Sequence, residues 1–210
     1  IIVSDVMMPR MNGYKLCKTI KEDINISHIP VILLTARDDR QSQISGYKNG
    51  ADGYLSKPFE VEMLMELIRN RLKNREYTKK RYLNAGLIPT PEESTISLTD
   101  ETFLIKLNSI IQENIENSNL GIQFICQEVG LGRSSLYNKL KALTGMGANE
   151  YISKLRIEKA ITLISGTDMP FSEIAEKTGF TTPSYFSTTF KQYTGETPSQ
   201  YKERKKKGLT

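Results

Sequence analysis

The chain has 210 residues, of which 38% are hydrophobic and 25% are charged, and its formal net charge is +5. This length accommodates about two domains with ordinary hydrophobic cores. No apolar run approaches the roughly 18 residues of a membrane-spanning helix, which excludes a membrane-embedded chain, and the mild positive charge permits nucleic acid as a partner.

The cysteines and the N-terminal residues indicate the cellular compartment and whether the chain is a fragment. Cys17 and Cys126 lie far apart and lack the spacing of a metal site, so we expect two buried thiols in a reducing compartment. Because there is also no signal peptide, we predict a cytoplasmic location. The chain starts with Ile1-Ile2-Val3, which reads as the middle of a strand, and we therefore expect a fragment of a longer protein.

Three short apolar runs near the N-terminus predict β-strands that alternate with helices. They end next to Asp5, Thr35 and Lys57. Alternating strands and helices favour a parallel sheet with right-handed crossovers. Functional groups in such sheets collect outside the carboxyl ends of the strands, so one acid, one hydroxyl and one cation should converge there.

Four short motifs surround these strand ends. They are Asp5-x-x-Met8-Pro9-x-Met11-Asn12-Gly13, Leu34-Thr35-Ala36, Gly50-Ala51-Asp52 and Tyr54-x-x-Lys57-Pro58-Phe59. With these motifs, residues 1–75 resemble the response regulator receiver family. The resemblance implies that Asp5 accepts a phosphoryl group from a histidine kinase phosphodonor, and that this kinase could belong to the same full-length chain. It further implies phosphoryl contacts from Thr35, Ala36 and Lys57, an aromatic switch at Tyr54, and a cis Lys57–Pro58 bond.

The resemblance also predicts what this chain lacks. Receivers carry a pair of acids after their first strand that binds Mg²⁺, whereas this chain begins at what resembles the third strand. The Asp5 carboxylate and the Met7 carbonyl remain as oxygen ligands, but Mg²⁺ requires six in octahedral geometry. We therefore expect Mg²⁺ only in the complete receiver, poor phosphorylation of this fragment, and a three-stranded sheet whose edge is the apolar strand before Asp5.

A long helix and a linker are predicted between two domains. Apolar residues recur at helical spacing from Val61 to Leu72, and a basic stretch then continues to Gly86. This helix could form a homodimer contact or be an ordinary packing helix, and the sequence leaves both open. Residues 87–98 read as a flexible linker. We accordingly predict a partial receiver at 1–75, a helical extension and linker at 76–98, and a second domain at 99–210.

The second domain contains an internal repeat. Gly130 and Gly179 are 49 residues apart, whereas Leu136 and Phe186 are 50 apart, so the extra residue of the second copy falls in a turn. This slip is typical of a helix–turn–helix unit used twice. In each copy we predict a short helix that ends at a left-handed glycine, a polar turn, and a second helix.

The second helix of each copy has one apolar and one polar face. The apolar face is predicted to be buried and contains Leu136 and Leu140 in one copy, and Phe186 and Phe190 in the other. Thr182 should cap the later helix, with Pro183 as its first residue. The polar faces suit base edges and phosphates. The predicted DNA-binding residues are Arg133, Ser134, Tyr137, Asn138 and Lys141, and then Pro183, Ser184, Ser187, Thr188 and Lys191.

The local charge around the first copy is also basic, which favours a nucleic-acid surface. Six basic residues lie between Leu131 and Lys159, against only two acids. The basic residues are Arg133, Lys139, Lys141, Lys154, Arg156 and Lys159.

Residues 99–205 resemble the AraC/XylS-type DNA-binding domain. The motifs are Ile125-x-x-Glu128-Val129-Gly130, Leu136-x-x-Lys139-Leu140-Lys141, Ile174-Ala175-x-x-x-Gly179-Phe180, Ser184-Tyr185-Phe186-Ser187-x-x-Phe190-Lys191 and Thr197-Pro198-x-x-Tyr201. The resemblance implies seven helices, with reading helices at 134–143 and 183–193 that enter successive major grooves of double-stranded DNA. The predicted fold is thus a truncated doubly wound α/β receiver with three parallel strands, followed by an all-α domain with two helix–turn–helix motifs.

Together these features predict a sequence-specific transcription regulator, not an enzyme, controlled by aspartyl phosphorylation in a two-component phosphorelay. A receiver joined to such a domain also resembles the C-terminal end of hybrid two-component regulators. A phosphorelay adaptor without DNA binding stays open as an alternative. An aspartate-nucleophile phosphatase is disfavoured because Asp5-Val6-Met7 lacks a second acid, and His28, the only histidine, provides no zinc cluster.

Overall fold

The computed structural model describes residues 1–36, 49–85 and 97–207, and within the helix at 78–85 it describes the backbone only. Contacts divide the chain into two compact units. The first contains Ile1–Ile105 and Asn138–Gly145, and the second contains Lys106–Tyr137 and Met146–Thr210. The helix that the predicted alternation places between β2 and β3, and the predicted linker as far as residue 96, lie outside the described residues.

Three parallel strands form the sheet of the first unit. They are β1 (Ile2–Asp5), β2 (Val31–Thr35) and β3 (Gly53–Ser56), and their order is β1-β2-β3. The central strand β2 is apolar as far as Leu34 because a parallel strand is buried on both faces. This confirms the predicted three-stranded parallel sheet with β1 at its edge, where Ile1 and Val3 are exposed.

Helix α1 (Gly13–Glu22) packs against this sheet. Asn12 caps it, since its side chain accepts a hydrogen bond from the Lys15 N–H at 2.9 Å. Cys17 and Ile20 on its inner face join the core with Val31 and other apolar side chains. Cys17 is buried as predicted, but Cys126 is only half-buried, so the expectation of two buried thiols is wrong for the second.

A 25-residue helix, α2 (Val61–Ala85), follows β3 and ends immediately before Gly86, which confirms the predicted long helix. Its role in dimerisation and the domain boundaries proposed from the sequence stay predictions. Across the described parts of the chain, no helix has both the length and the apolar character needed to cross a membrane.

Between residues 97 and 207 the described chain forms seven helices, the number that the resemblance implies. They are α3 (Leu98–Glu113), α4 (Ile122–Val129), α5 (Arg133–Thr144), α6 (Ala148–Gly166), α7 (Phe171–Lys177), α8 (Pro183–Thr194) and α9 (Pro198–Lys206).

An aromatic core holds the helices of the second unit together. Phe180 packs on Phe186 with ring centroids 5.3 Å apart. Phe186 then contacts Phe190 at 5.7 Å, and Phe190 contacts Tyr201 at 5.6 Å, both edge to face. Phe186 and Phe190 are fully buried, as their spacing predicts, and their aromatic contacts fix α8 against α9.

Candidate functional sites

The ends of β1 and β3 bring the predicted acid and cation together. The Lys57 ammonium donates a hydrogen bond to Asp5 Oδ2, and the Met7 N–H donates to Asp5 Oδ1 at 3.0 Å. The Lys57 N–H donates to the Thr35 carbonyl at 2.6 Å, which ties the third strand end to the second. The Lys57 ammonium, and after it the Met7 N–H, hold the pKa of Asp5 below its usual value, so Asp5 is an anion at neutral pH.

Two of the other predicted receiver residues lie at the same edge of the sheet, and Tyr54 lies within β3. Thr35 is buried at the end of β2, and Ala36 follows it on the surface. Tyr54 is half-buried against the core of the first unit. The Lys57–Pro58 bond is cis, as predicted. The phosphoryl contacts and the switching role assigned to these residues stay predictions.

The donor set around Asp5 does not fit Mg²⁺. Both carboxylate oxygens already accept hydrogen bonds, one from the Lys57 ammonium and one from the Met7 N–H. Within the described ranges, no three His, Cys, Asp or Glu side chains group closely enough to hold a metal ion. Since Mg²⁺ requires near-octahedral oxygen coordination, Asp5 and the Met7 carbonyl are too few ligands.

The first helix–turn–helix motif consists of α4, a tight turn and α5. Gly130 caps α4 in the left-handed conformation with φ 73°, as predicted. The Leu131 N–H then donates to the Cys126 carbonyl at 3.0 Å, which satisfies a carbonyl at the helix end. α5 begins at Arg133, so this residue belongs to the reading helix and not to the preceding turn.

The polar face of α5 is exposed as predicted, and its apolar face is buried. Leu136 and Leu140 are fully buried. The Arg133 guanidinium approaches Gln123 Oε1 at 3.4 Å. All the predicted DNA-binding residues of this helix are exposed: Arg133, Ser134, Tyr137, Asn138 and Lys141.

The second reading helix, α8, has the predicted start. The Thr182 hydroxyl accepts a hydrogen bond from the Tyr185 N–H at 3.2 Å, and Pro183 is the first helical residue. Ser187 is half-buried. The remaining predicted DNA-binding residues of this helix are exposed, namely Pro183, Ser184, Thr188 and Lys191.

Three of the six basic residues around the first repeat are not surface cations, which corrects the sequence interpretation. Lys139, Lys154 and Arg156 are only 0%, 7% and 9% exposed. Lys139 donates hydrogen bonds to Asp100 Oδ1 and, at 2.7 Å, to Ser27 Oγ. Arg156 donates to the Asn117 carbonyl at 2.7 Å. These side chains stabilise the fold, and the positive surface is smaller than the sequence suggests.

A polar groove between the start of α6 and the side of α8 was missed by the sequence analysis. Asn149, Tyr185, Gln192 and Tyr193 are among its lining residues. The Tyr193 hydroxyl donates to the Glu150 carbonyl at 2.8 Å, and burial raises the pKa of Tyr193 to about 12, so it stays a donor. These residues are far apart in sequence, and no local motif contains them together.

Comparison with known families finds one match for each of these two parts of the chain. Residues 1–69 match the response regulator receiver domain, and residues 125–204 match a helix-turn-helix domain. A protein named histidine kinase P4 from Formosa agariphila is 43% identical over 204 residues, which cover 97% of this chain but 15% of that protein. A probable transcriptional regulator, ycf29 of Pyropia yezoensis, is 29% identical, with 71% of this chain and 72% of the relative covered.

Among solved structures, the C-terminal domain of AraT, a response regulator from Geobacillus stearothermophilus, is 31% identical with a TM-score of 0.45. The match covers 48% of this chain and 84% of that one. The two matched families account for the strand-end cluster and for the paired reading helices respectively. The chain therefore joins a response regulator receiver segment to a helix–turn–helix domain.

Proposed function

We propose that this chain is a sequence-specific DNA-binding regulator of transcription in a two-component system. The observation that supports it best is the pair of reading helices, α5 and α8. Each exposes short hydrogen-bonding side chains next to a lysine while it buries its apolar face. Such side chains contact base edges, and lysines contact phosphates.

The control that we propose is phosphorylation of Asp5 in the complete receiver by a histidine kinase phosphodonor. The ionised Asp5 carboxylate at a strand end and the adjacent Lys57 ammonium support this role, because a phosphoryl group needs a nucleophile and a cation. The likeness to a histidine kinase over nearly the whole chain favours a phosphodonor in the same polypeptide. No further catalytic role is proposed for Asp5.

The two reading helices are proposed to differ in stringency. On α5, the Asn138 amide can pair bidentately with adenine, and Tyr137 can pack on a thymine methyl or reach a phosphate. On α8, Ser184, Ser187 and Thr188 have one hydroxyl each and make no bidentate base contact. We therefore propose that the half-site of α5 is read more strictly.

Replacement of Asn138 by alanine is expected to relax the preference at one base position and to weaken binding to the best site by about 1–3 kcal/mol. Lys141→Ala is the matched control on the same exposed face. It should weaken binding to all sequences by the same factor, because it removes a phosphate contact. The slope of the logarithm of the affinity against the logarithm of the salt concentration should become shallower by about one unit.

The measurement is a selection on randomised duplexes with the full chain and with each variant. An unchanged motif for Asn138→Ala, together with a partly erased motif for Thr188→Ala, would show that α8 is the stricter reader.

Phosphorylation of the 210-residue chain should be inefficient. Incubation with acetyl phosphate and Mg²⁺ should label only a small fraction, because both Asp5 oxygens already accept hydrogen bonds and few metal ligands are present. A longer chain with the missing receiver strands should gain one phosphoryl group, and its Asp5→Asn variant should gain none. Intact-mass spectrometry reads out both. Efficient labelling of residues 1–210 would contradict the expected lack of metal ligands.

A further inference from the structure

A cavity of about 50 Å³ in the first unit shares no lining residue with the Asp5 cluster or with the predicted DNA-binding residues. Its wall is formed by α1, the segment before β2, the residue before β3, α2, the start of α3 and the end of α5. Six ionisable side chains line it, namely Lys21, His28, Asp52, Arg71, Arg75 and Asp100. Because charged groups around a small cavity are poorly solvated, each of them needs an opposite charge or a hydrogen-bond partner.

The two carboxylates of the wall have cationic partners. Asp52 Oδ2 lies 2.6 Å from Lys21 Nζ and accepts the Val31 N–H at 2.7 Å. Asp100 Oδ1 accepts hydrogen bonds from the buried Lys139 ammonium and, at 2.7 Å, from Ser27 Oγ. Each acid is thus neutralised by one lysine.

The two arginines have no hydrogen-bonded acid of this kind, although the charges of Asp100 and Asp52 also act on Arg75. In the described part of the chain, no hydrogen bond or ion pair engages Arg71 or Arg75. Arg71 Nε and His28 Nδ1 are buried polar atoms without a hydrogen-bond partner, and of the described residues only Arg156 has another such side-chain atom. A buried polar group normally has a partner, because its desolvation is costly. Two orphan atoms therefore line one cavity.

Burial changes the pKa values of two side chains of the cavity. Burial lowers the pKa of Arg75, which nevertheless stays charged at neutral pH, and it lowers the pKa of His28 to about 4, so the imidazole is neutral. A neutral imidazole can place its N–H on Nδ1 and donate a hydrogen bond. Among the described residues, the cavity thus has two guanidinium groups without a hydrogen-bonded acid, and a nearby donor.

We propose that this cavity binds a tetrahedral oxyanion, either free phosphate or the phosphate group of a small molecule. Guanidinium groups bind oxyanions through parallel charge-assisted hydrogen bonds, and one anion supplies acceptors for both arginines and for His28. The volume is in the range of one such anion, since a cavity of about 10–15 Å³ in the same measure already holds one water molecule. The proposal does not depend on DNA binding.

The experiment is an NMR titration of the full chain with inorganic phosphate at constant ionic strength. It follows the imidazole ring of His28, whose signal is unambiguous because the chain has one histidine. We expect a saturable shift that sodium chloride does not reproduce. Arg71→Gln and Arg75→Gln should each weaken the binding about tenfold or more, as loss of a charge-assisted hydrogen bond implies. Arg69→Gln, on the same helix but exposed and paired with Glu66, should leave it unchanged.

A second titration with phenyl phosphate distinguishes the two sources of the anion. Weaker or no binding of phenyl phosphate identifies free phosphate, and equal or tighter binding identifies a phosphorylated small molecule. The proposal would be overturned by a shift that chloride reproduces, by a shift that does not saturate, or by arginine variants that bind phosphate as tightly as the unmodified chain does. If a glutamine variant fails to fold, the saturable shift of the half-buried His28 ring in the unmodified chain decides, since phosphate bound at exposed lysines does not reach it.

Discussion

Replacement of Lys139 by methionine is expected to lower the free energy of unfolding by about 3–5 kcal/mol. Lys139 lies on the reading helix α5, but its side chain is fully buried. Its ammonium donates hydrogen bonds to Asp100 and Ser27 and lies 5.1 Å from the centre of the Phe103 ring. Methionine retains the apolar stem and removes the charge, so Asp100 is left buried without its hydrogen-bonded countercharge.

The matched control is Lys141→Met, two residues further along the same helix. Lys141 is exposed, and its replacement should change the stability by no more than about 0.5 kcal/mol. Urea denaturation followed by circular dichroism measures both variants. The double variant Lys139→Met/Asp100→Leu should recover most of the loss, because it removes the stranded acid. Equal midpoints for Lys139→Met and Lys141→Met would show that the buried pair contributes nothing.

The two equivalent glycines of the repeat should respond differently to alanine. Gly130 and Gly179 have almost the same left-handed backbone, with φ of 73° and 72°. A Cβ at Gly130 would meet nothing within 4 Å, whereas at Gly179 it would lie 2.2 Å from the Ile115 carbonyl oxygen. Gly130→Ala should therefore cost about 1–2 kcal/mol, the cost of the left-handed conformation alone.

Gly179→Ala should cost about 1–3 kcal/mol more, because the backbone of Ile115 must move. Thermal unfolding of the two variants side by side tests this difference. If Gly130→Ala is as destabilising as Gly179→Ala, the close contact with Ile115 does not determine the choice of glycine at that position.

Local patterns in the sequence predicted most of the fold. Apolar runs that end at Asp5 and Thr35 predicted parallel strands, and the slip between Gly130 and Gly179 predicted two helix–turn–helix units. Thr182 and Pro183 predicted the start of α8. Each of these predictions uses residues that are close together in the chain. The geometry of a single helix, strand or turn is then sufficient to predict the local structure.

The role of Lys139 illustrates what local patterns miss. Lys139 is three residues after Leu136, and helical geometry therefore places it on the buried face. Its charge was nevertheless counted toward the basic surface, since a buried lysine needs a countercharge that no nearby residue supplies. Asp100 provides that countercharge from 39 residues away.

The parts of the sites that depend on contacts between distant segments could likewise not be predicted from the sequence. The pair of Asp5 and Lys57 was predictable because parallel strands align their carboxyl ends. The hydrogen bond from Tyr193 to the Glu150 carbonyl and the cavity beside His28 join segments with no shared motif. The contact of Gly179 with Ile115 likewise depends on how distant helices pack.

DNA binding through α5 and α8 is most directly tested by a fluorescence anisotropy titration of the full 210-residue chain against a labelled duplex at several salt concentrations. We predict saturable binding, with the logarithm of the affinity falling linearly with the logarithm of the salt concentration, because phosphate contacts release counterions. Absence of binding at low salt, with a chain that circular dichroism shows to be folded, would contradict the proposed function.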